Sequence, residues 1–430
     1  MQQNKFDKSI NNIYVKAASK VALAISGGID STALLYLFSD FAKRNQIQIT
    51  IFSVNHNLRS EAIDEIKFVK KHVENLGHDF YALNWEPEGN DKSGIQERAR
   101  EARYRLMTDK CHALGISILL TAHHKDDLLE TYIMRKRKKS GILGLSYSPS
   151  FFYNDIQIYR PLLIFYKKDL IDFLRSKKIG WKEDSSNSSD DYERNRIRKE
   201  IASFPNDTKE SLFQEMEHIN KQAKILNRRL LETIAETVQI STFGYAIIDL
   251  GKLKLESGDI KIQILNYILT VIGGKTTVPR FRKVTEILTL LNLGKKIDRS
   301  LHGCIMKSFN HCLLIYREKQ DIDNNLIRTN NGLLWDDRFL FEKDDLKPHY
   351  KVETLDISQY RELKKYINIE NTLKRVGINH KPILFTLPVI KNLEKIIAIP
   401  HISYYDRVEF KGEIRFKFAP NFISRFTHFL

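Results

Sequence analysis

The sequence predicts an α/β fold: a doubly wound, Rossmann-like parallel sheet forms the N-terminal domain, and smaller α and α+β modules follow it. Short apolar runs alternate with segments of helical periodicity between residues 20 and 177, which is typical of right-handed βαβ units. Three polar segments directly follow predicted strands: SGGIDS (26–31), NHNLR (55–59) and TAHHKDDLLET (121–131). Because ligands of such sheets bind at the carboxyl ends of the strands, we expect the three segments to meet at one edge.

The predicted elements alternate regularly along the N-terminal part of the chain. VALAI (21–25) is a short apolar run, and Ser-Gly-Gly interrupts it before helical periodicity begins at Ser31. Gly77 closes the second helix, as glycine commonly does after a last helical turn. The predicted ranges are, in order, strand 21–25, helix 31–38, strand 47–54, helix 60–76, strand 79–84, helix 95–114, strand 116–120 and helix 167–177.

Composition shifts divide the chain into three predicted segments. The first covers residues 1–205 and ends near Pro205 and Asn206. The second, 206–320, opens with a long amphipathic helix over 209–238 and continues as a mixed module. The third, 321–430, is rich in strand patterns and begins within the polar stretch REKQDIDNNLIRTNN (317–331).

Length and composition exclude several classes of protein. The chain has 430 residues, of which 42% are hydrophobic, so it is neither a disordered tail nor a small scaffold that needs disulfides. Its 69 basic and 53 acidic residues give a net charge of +16, which suggests a polyanionic partner, although charge for solubility is the alternative. Three cysteines without a CxxC pair argue against a zinc ribbon. With no apolar signal segment and no membrane-spanning run, we expect a cytoplasmic protein that does not enter membranes.

The segment Ser26-Gly27-Gly28-Ile29-Asp30-Ser31 has the composition of a phosphate-binding loop. Its two glycines allow a tight turn that brings backbone N–H groups close to a phosphate, and the following helix adds its positive N-terminus. A Walker A loop requires a lysine after its glycines, and none follows here. Among phosphates, Asp30 makes sense as a Mg²⁺ ligand or an orienting group. The alternative is an ordinary turn that caps a helix.

The segment HHKDDLLET suggests a second group of functional side chains. His123, Asp127 and Glu130 are spaced four and three residues apart, so on a helix they would share one face. Two carboxylates beside an imidazole can bind Mg²⁺, orient an amine or accept its proton. A plain solvated helix is the alternative. His124 and Asp126 are expected to point elsewhere and to be structural.

Further candidate residues lie on two arginine-rich helices and after the second strand. Arg100 and Arg103 would face the same way, either toward a ligand or in a salt-bridge row with Glu97 and Glu101. The other candidates, for which a polar loop or a solvated basic helix is the alternative, are Asn55, His56, Arg59, Asp184, Asn187, Arg194, Asn195 and Arg198.

These motifs resemble those of the PP-loop ATP pyrophosphatases, whose signature is SGGxDS, and within that group the tRNA(Ile)-lysidine synthetase family. The resemblance is close over about residues 20–200 and extends weakly to LLWDDRF (333–339) and PILFTLPVI (382–390). The matching motifs are SGGIDS (26–31), VNHNLRSEAIDE (54–65), IQERAREARY (95–104), LLTAHHKDDLLET (119–131), RPLL (160–163), WKEDSSN (181–187) and RNRIR (194–198).

The resemblance implies that ATP and Mg²⁺ are used and assigns roles to the candidate residues. It implies catalytic roles for Asp30, Arg100, His123, Asp127 and Glu130. It implies ATP binding by Ser26, Gly27, Gly28, Ile29, Asp30, Ser31, Asn55, His56 and Arg103. It implies Mg²⁺ binding by Asp30 and Asp127, and substrate binding by Asp127, Glu130, Arg194, Asn195 and Arg198.

The resemblance also implies a reaction: L-lysine is joined to C2 of the wobble cytidine of tRNA(Ile) with a CAU anticodon. The cytidine would be adenylated first, and AMP and pyrophosphate would be released, while residues 206–430 would bind the tRNA. Two rivals remain: a tRNA thiolase, which normally needs paired cysteines, and an inactive RNA-binding protein. The sequence is compatible with both a monomer and a homodimer.

The run Arg135–Lys139 departs from the family pattern, which usually has a small-residue turn at this place. A run of like charges is usually solvated, but its position beside the predicted site favours contact with RNA phosphates. Further basic groups are spread over all three segments: Arg228, Arg229, Arg280, Arg282, Lys283, Arg415 and Lys417.

We therefore predict that RNA binding depends strongly on salt. If about six to eight phosphates are neutralised, the logarithm of affinity should fall against the logarithm of salt concentration with a slope of about −4 to −6. A titration of tRNA binding at several KCl concentrations measures this slope. A slope near zero would remove RNA as the reason for the positive charge.

Overall fold

A computed structural model describes residues 2–10, 15, 18–55, 62–85, 95–182, 193–275, 277–329, 332–342, 346–375, 380–393, 395–406, 408 and 414–420. The chain divides into two compact units, Met1–Ile225 and Leu226–Phe426. The division into three segments at residues 205 and 320 stays a prediction.

The first unit contains a six-stranded sheet with helices between its strands. The strands are β1 (Lys20–Ala24), β2 (Gln48–Asn55), β3 (Asp79–Asn84), β4 (Ile118–Leu120), β5 (Ser150–Tyr153) and β6 (Ile156–Tyr159). The helices are α1 (Gln2–Ile10), α2 (Ile29–Asn45), α3 (Ala62–Asn75), α4 (Ile95–Ala113), α5 (Lys125–Arg137), α6 (Ile142–Leu145), α7 (Lys167–Ser176), α8 (Glu193–Ser203) and α9 (Asn206–Thr237), which continues beyond residue 225.

The strand order β3-β2-β1-β4-β6-β5 confirms the predicted parallel sheet. Strands β3, β2, β1, β4 and β6 are parallel, and only the edge strand β5 runs antiparallel to β6. The four predicted strands form, and β3 has the predicted bounds. The β5–β6 hairpin was not anticipated, although its turn residues Asn154 and Asp155, at φ 46° and 60°, are typical of a two-residue hairpin turn.

The sheet is buried on both faces, as expected for a doubly wound fold. On one face Leu23 of β1 packs in a core with Leu34 and Phe38 of α2. On the other face its neighbour Ala22 packs in a separate core that contains Met107 of α4. Successive side chains of a strand point to opposite faces, so one short apolar strand serves both cores. This burial fixes the carboxyl ends of the central strands, where the polar segments begin.

In its described ranges, the second unit has three antiparallel sheets and five α-helices. Its strands are β7 (Val238–Ser241), β8 (Tyr245–Asp249), β9 (Asp298–Leu301), β10 (Cys304–Phe309), β11 (Cys312–Arg317), β12 (Leu326–Thr329), β13 (Gly332–Trp335), β14 (Phe339–Phe341), β15 (Lys351–Glu353), β16 (Val389–Asn392), β17 (Lys395–Ile399), β18 (Tyr404–Tyr405) and β19 (Phe416–Phe418). Its helices are α10 (Leu250–Lys254), α11 (Gly258–Ile272), α12 (Phe281–Asn292), α13 (Ile357–Leu363) and α14 (Ile369–Arg375).

The sheet orders are β7-β8-β11-β10-β9, β12-β13-β14-β19 and β15-β16-β17-β18. The predicted strand-rich C-terminal part is thus present as two four-stranded sheets. In the described part of the chain, no helix has the length and apolar character needed to cross a membrane.

A buried ionic cluster, made by Arg317, Asp336 and Arg338, joins sheets of the second unit. Asp336 accepts hydrogen bonds from Arg317 Nε at 2.9 Å, Arg317 Nη2 at 2.8 Å and Arg338 Nε at 2.6 Å. All three side chains are at most 2% exposed. One carboxylate therefore compensates two buried guanidinium groups, and its loss would leave both without it.

We predict that Asp336→Ala lowers the free energy of unfolding by about 3–5 kcal/mol, because it leaves the buried Arg338 without its carboxylate, while Arg317 keeps only Asp321. Denaturant unfolding followed by tryptophan fluorescence measures the change, since Trp335 is buried next to the substituted residue. The matched control is Asp298→Ala, which removes an exposed partner of Lys307 and should cost less than about 1 kcal/mol. Equal effects of the two substitutions would contradict the prediction.

Candidate active site at the carboxyl edge of the sheet

The glycine loop between β1 and α2 is closed by the hydroxyl group of Ser31. Ser31 Oγ accepts hydrogen bonds from the amides of Ser26, at 3.2 Å, and Gly27, at 3.1 Å, and it donates one to the carbonyl of Gly28 at 3.1 Å. Gly27 has φ +88°, and a Cβ atom there would lie 3.2 Å from a methyl group of Val69. A side chain at this position would be strained, so the turn requires glycine.

Helix α2 starts directly at the loop, with Ile29 as its first residue and Gly28 as its N-cap. The first amide groups of a helix have no acceptor within the helix, and they lie at its positive end. Ile29 and Asp30 supply such amides here. The loop therefore has the local geometry that binds phosphate groups in other nucleotide-binding folds.

His124 connects the glycine loop to the segment after β4. It is buried, and its Nε2 atom lies 3.4 Å from Asp30 Oδ1 and 3.6 Å from Asp127 Oδ2. Its Nδ1 atom lies 3.5 Å from Asp126 Oδ2. The expectation that His124 points away from the other candidates is wrong. It is the N-cap of α5, and the extended backbone there directs its ring toward α2.

The carboxylates around His124 keep its imidazole protonated. Burial disfavours the charged ring, but the adjacent side chains of Asp126 and Asp30 and the charge of Asp127 outweigh burial and raise the pKa of His124 to about 10. Asp126 also accepts a hydrogen bond, of 2.8 Å, from the amide of Lys167 at the start of α7. The ring is therefore a cation at neutral pH and links three carboxylates.

Glu130 and Asp127 on α5 are paired with two arginines of α8. Arg194 Nε and Arg198 Nε each donate to a different oxygen of Glu130, both at 2.7 Å. Arg194 Nη2 also donates to Asp127 Oδ1 at 3.3 Å, while Arg198 Nη2 lies 3.9 Å from the same oxygen. Glu130 is only 3% exposed, so two buried charge-assisted bonds anchor α8 to α5.

His123 does not share a helix face with Asp127 and Glu130, because α5 begins only at Lys125. The expected common face is thus limited to the two carboxylates. The His123 ring instead lies 3.1 Å from the Thr121 hydroxyl group. Burial, together with the charges of nearby arginines, holds the pKa of His123 well below its usual value, so the ring is neutral. The arginines that act on it are Arg100, Arg160, Arg103 and Arg194.

Arg100 and Arg103 of α4 lie over the ring of Tyr104, with guanidinium carbons 5.2 and 5.4 Å from the ring centre. Among the described side chains, no ion pair of either arginine with a carboxylate is formed. The side chain of Glu97 lies outside the described residues, so the salt-bridge row that was the alternative for the two arginines is untested. Arg100 is exposed, whereas Arg103 is half-buried and has an Nε atom without a hydrogen-bond partner in the described structure.

The structure gives less information about the roles of the remaining predicted residues. Asn55 ends β2 and is half-buried, and its carbonyl accepts a 2.9 Å hydrogen bond from the amide of Trp85. Asn195 is buried on α8. Four of the predicted residues lie outside the described residues: His56, Arg59, Asp184 and Asn187. Their roles stay predictions.

The basic run Arg135–Lys139 is largely paired within the first unit. Three of its residues form ion pairs: Lys136 with Glu215 at 2.7 Å, Arg137 with Glu200 at 2.6 Å and Lys138 with Glu193 at 3.7 Å. Arg135 donates to the carbonyls of Gly144 and Ser146. These contacts connect α5 to α8 and α9. The charges that the sequence analysis associates with RNA therefore have a structural role.

The donors near the glycine loop fit a Mg²⁺ ion only if phosphates complete its shell. No group of three or more metal-ligating side chains with suitable geometry occurs within the described ranges. Mg²⁺ is commonly held by one or two carboxylates together with substrate phosphates and water. Asp30 and Asp127 both lie beside His124, and Asp30 Oδ1 is buried without a hydrogen-bond partner there. Asp30 thus offers an oxygen next to the loop, whereas both oxygens of Asp127 accept hydrogen bonds, from the amide of His124 and from Arg194.

Residues 1–204 match the model of the PP-loop domain family. The parallel sheet, the glycine loop after β1 and the acidic cluster on α5, which follows the neighbouring strand β4, define the first unit as a domain of this class.

Relatives with assigned names match over the whole chain. The tRNA(Ile)-lysidine synthase of Rickettsia felis is 41% identical over 435 residues, with 100% of both chains covered. That of Rickettsia typhi is 40% identical over 432 residues, again with 100% of both covered. The chain belongs to the tRNA(Ile)-lysidine synthase family. Among solved structures, the U34-tRNA thiolase NcsA of Methanococcus maripaludis is 17% identical, covering 51% of this chain and 77% of its own, with a TM-score of 0.43, which is too distant to identify a function.

We predict that Asp30→Ala abolishes turnover of ATP to AMP while tRNA binding stays nearly intact. Asp30 lies at the glycine loop and beside His124, so its loss removes a charge at the phosphate site without removing a basic group. Release of radiolabelled AMP and a tRNA filter-binding assay measure the two effects. Asp40→Ala, on the exposed side of the same helix, is the control. Loss of both activities in Asp30→Ala would show that Asp30 is structural.

Proposed function

We propose that this chain joins lysine to a cytidine of an isoleucine tRNA in an ATP-dependent reaction that forms lysidine. The observation that carries the proposal is the full-length similarity to enzymes with this name, together with a glycine loop and a carboxylate cluster at one sheet edge. The target is the wobble cytidine of a CAU anticodon, and the products are AMP and pyrophosphate.

The first step activates the cytosine. The C2 carbonyl oxygen attacks the α-phosphorus of ATP, and the bond from that phosphorus to the bridging oxygen breaks, so that pyrophosphate leaves. The amide of Gly28 and the amides at the start of α2 stabilise the charge that collects on the pyrophosphate. Asp30 and Asp127 would hold Mg²⁺, which supplies further positive charge there. The attacking base must first leave its stack to reach this site.

The second step replaces the activated oxygen with lysine. The amine nitrogen forms a bond to C2, the bond between C2 and the oxygen breaks, and AMP leaves with that oxygen. The amine must attack in its neutral form, so its protons pass to acceptors at the site. Asp127 and the neutral ring of His123 are the acceptors that the site offers. Glu130 orients the amine through Asp127 and the two arginines of α8.

Two features fit this reaction and its setting. The net charge of +16 suits a tRNA partner that contacts more than one segment of the chain. The residues described at the site come from a single chain, so the proposal holds for a monomer and a homodimer alike. We place the reaction in the cytoplasm, where ATP, lysine and tRNA are present together.

A thiolase does not fit the cysteines of this chain. Cys111 of α4 is fully buried in the core between α4 and the sheet, and burial raises the pKa of its thiol to about 12. Cys304 is buried as well, and Cys312 lies at the other end of the same hairpin of the second unit, opposite Phe309. A sulfur carrier needs an accessible thiolate near the activated base. The first unit has none among its described residues.

The proposal predicts that radiolabelled lysine enters the RNA when the protein is incubated with ATP and tRNA bearing a CAU anticodon. One AMP should form for each lysine incorporated. The same tRNA with a GAU anticodon is the control, because it has no cytidine at the wobble position. Release of ADP and orthophosphate, or AMP formation without incorporation of lysine, would overturn the proposal.

A further inference from the structure

Three arginines beside the proposed site have no carboxylate partner among the described residues. They are Arg100 and Arg103 on α4 and Arg160, which directly follows β6. Other buried or half-buried arginines of the chain are compensated: Arg194 and Arg198 pair with Glu130. Because burying a cation without an opposite charge is costly, an uncompensated group of arginines indicates an anionic ligand.

Two aromatic rings hold the three guanidinium groups in place. Arg100 and Arg103 lie over the ring of Tyr104, and the guanidinium carbon of Arg160 lies 5.6 Å from the ring centre of Phe151. The two rings meet edge to face, with centres 5.9 Å apart. Ring contacts orient the cations but leave their charge intact. We call this group, Arg100, Arg103, Tyr104, Phe151 and Arg160, the arginine platform.

The arginine platform also has hydrogen-bond donors that are not used within the described structure. The Nε atoms of Arg103 and Arg160 are buried and have no partner in the described structure. Arg160 is fixed at two other points: its Nη2 atom donates to the carbonyl of Ser148, and its amide donates to the carbonyl of Pro149 at 2.9 Å. Its guanidinium is therefore positioned before any ligand arrives, with a donor still available.

Arg160 of the platform and the glycine loop follow strands on opposite sides of β4. The glycine loop follows β1, and β4 pairs with β1 on one side and with β6 on the other. The segment after β4 carries His124, which faces the loop through Asp30, and His123, on which the charges of the platform act. The segment after β4 thus lies between the glycine loop on one side and Arg160 on the other.

We infer that the arginine platform binds a backbone phosphate of the RNA next to the target base, while the glycine loop holds the phosphates of ATP. This inference rests on the proposed function. Guanidinium groups bind phosphate oxygens in pairs and stay charged at all working pH values. Arg100 is exposed, and Arg103 and Arg160 lie deeper, so the platform extends from the surface inward. Such a path suits a polymer chain that enters from outside better than a small carboxylate.

The test substitutes Arg160→Gln, because no role in ATP binding or catalysis has been assigned to Arg160. Binding of a CAU-loop RNA hairpin is measured by fluorescence anisotropy at several KCl concentrations. We expect affinity to fall about tenfold, and the slope against the logarithm of salt to become shallower by about 0.7–0.9, as for the loss of one phosphate contact. The KM values for ATP and lysine should stay within about twofold of the wild type.

Two further variants keep the test decisive. Arg160→Lys keeps the charge and should retain the wild-type salt slope, which separates loss of charge from loss of folding. Arg105→Gln removes an exposed arginine from the same helix but not from the platform, and it should leave binding unchanged. Thermal unfolding of all variants checks the fold.

The inference fails if Arg160→Gln raises the KM for ATP or lysine and leaves hairpin binding unchanged, because the platform would then hold a small substrate. It also fails if Arg105→Gln weakens binding equally, because the effect would then be general charge. Lysine incorporation by the wild-type protein is measured in parallel. That assay tests the proposed function alone, so the two can fail separately.

Discussion

The parallel pairing of β1 with β4 is the constraint on which the site depends. Ala22 is opposite Leu119 and Leu23 is opposite Leu120, so both strands end at the same level. The glycine loop leaves one strand and His124 follows the other a few residues later, which brings the start of α2 against the start of α5. Residues almost a hundred positions apart thus meet through backbone hydrogen bonds before any side-chain contact is made. The apolar side chains of these strands, buried on both faces, keep this register fixed.

Arginine has two contrasting uses in the chain. In one, a carboxylate is shared between two guanidinium groups, as Glu130 is between Arg194 and Arg198, and Asp336 between Arg317 and Arg338. These clusters join separate elements and leave little net charge. In the other, on the arginine platform, aromatic rings orient the guanidinium groups and their charge remains available to a ligand. Arginines whose partner is a carboxylate are thus structural, and arginines whose partner is an aromatic ring bind the ligand.

Local patterns in the sequence were sufficient for four of the six strands of the sheet, because burial and glycine turns are encoded over a few residues. The bounds of β3 and the convergence of the loop with Asp127 follow from such patterns. The role of His124 could not be predicted from the sequence pattern. Helical spacing was applied to residues that precede the first turn of α5. The pairing of Glu130 with Arg194 joins residues 64 positions apart, and no spacing rule reaches that far. Arg160 had a signal, the RPLL motif, but its environment depends on the unanticipated β5–β6 hairpin.

The arginines around Glu130 affect the protonation state in which the site binds an amine. Two bare carboxylates would attract a primary ammonium ion and stabilise its protonated form, which has no lone pair for bond formation. Here the two negative charges of Asp127 and Glu130 are balanced by the two positive charges of Arg194 and Arg198. The two carboxylates therefore do not favour the ammonium form of an incoming nitrogen, so a neutral, nucleophilic amine can be held by hydrogen bonding without being converted into an inert cation. Selection by shape rather than by charge follows from the same neutrality.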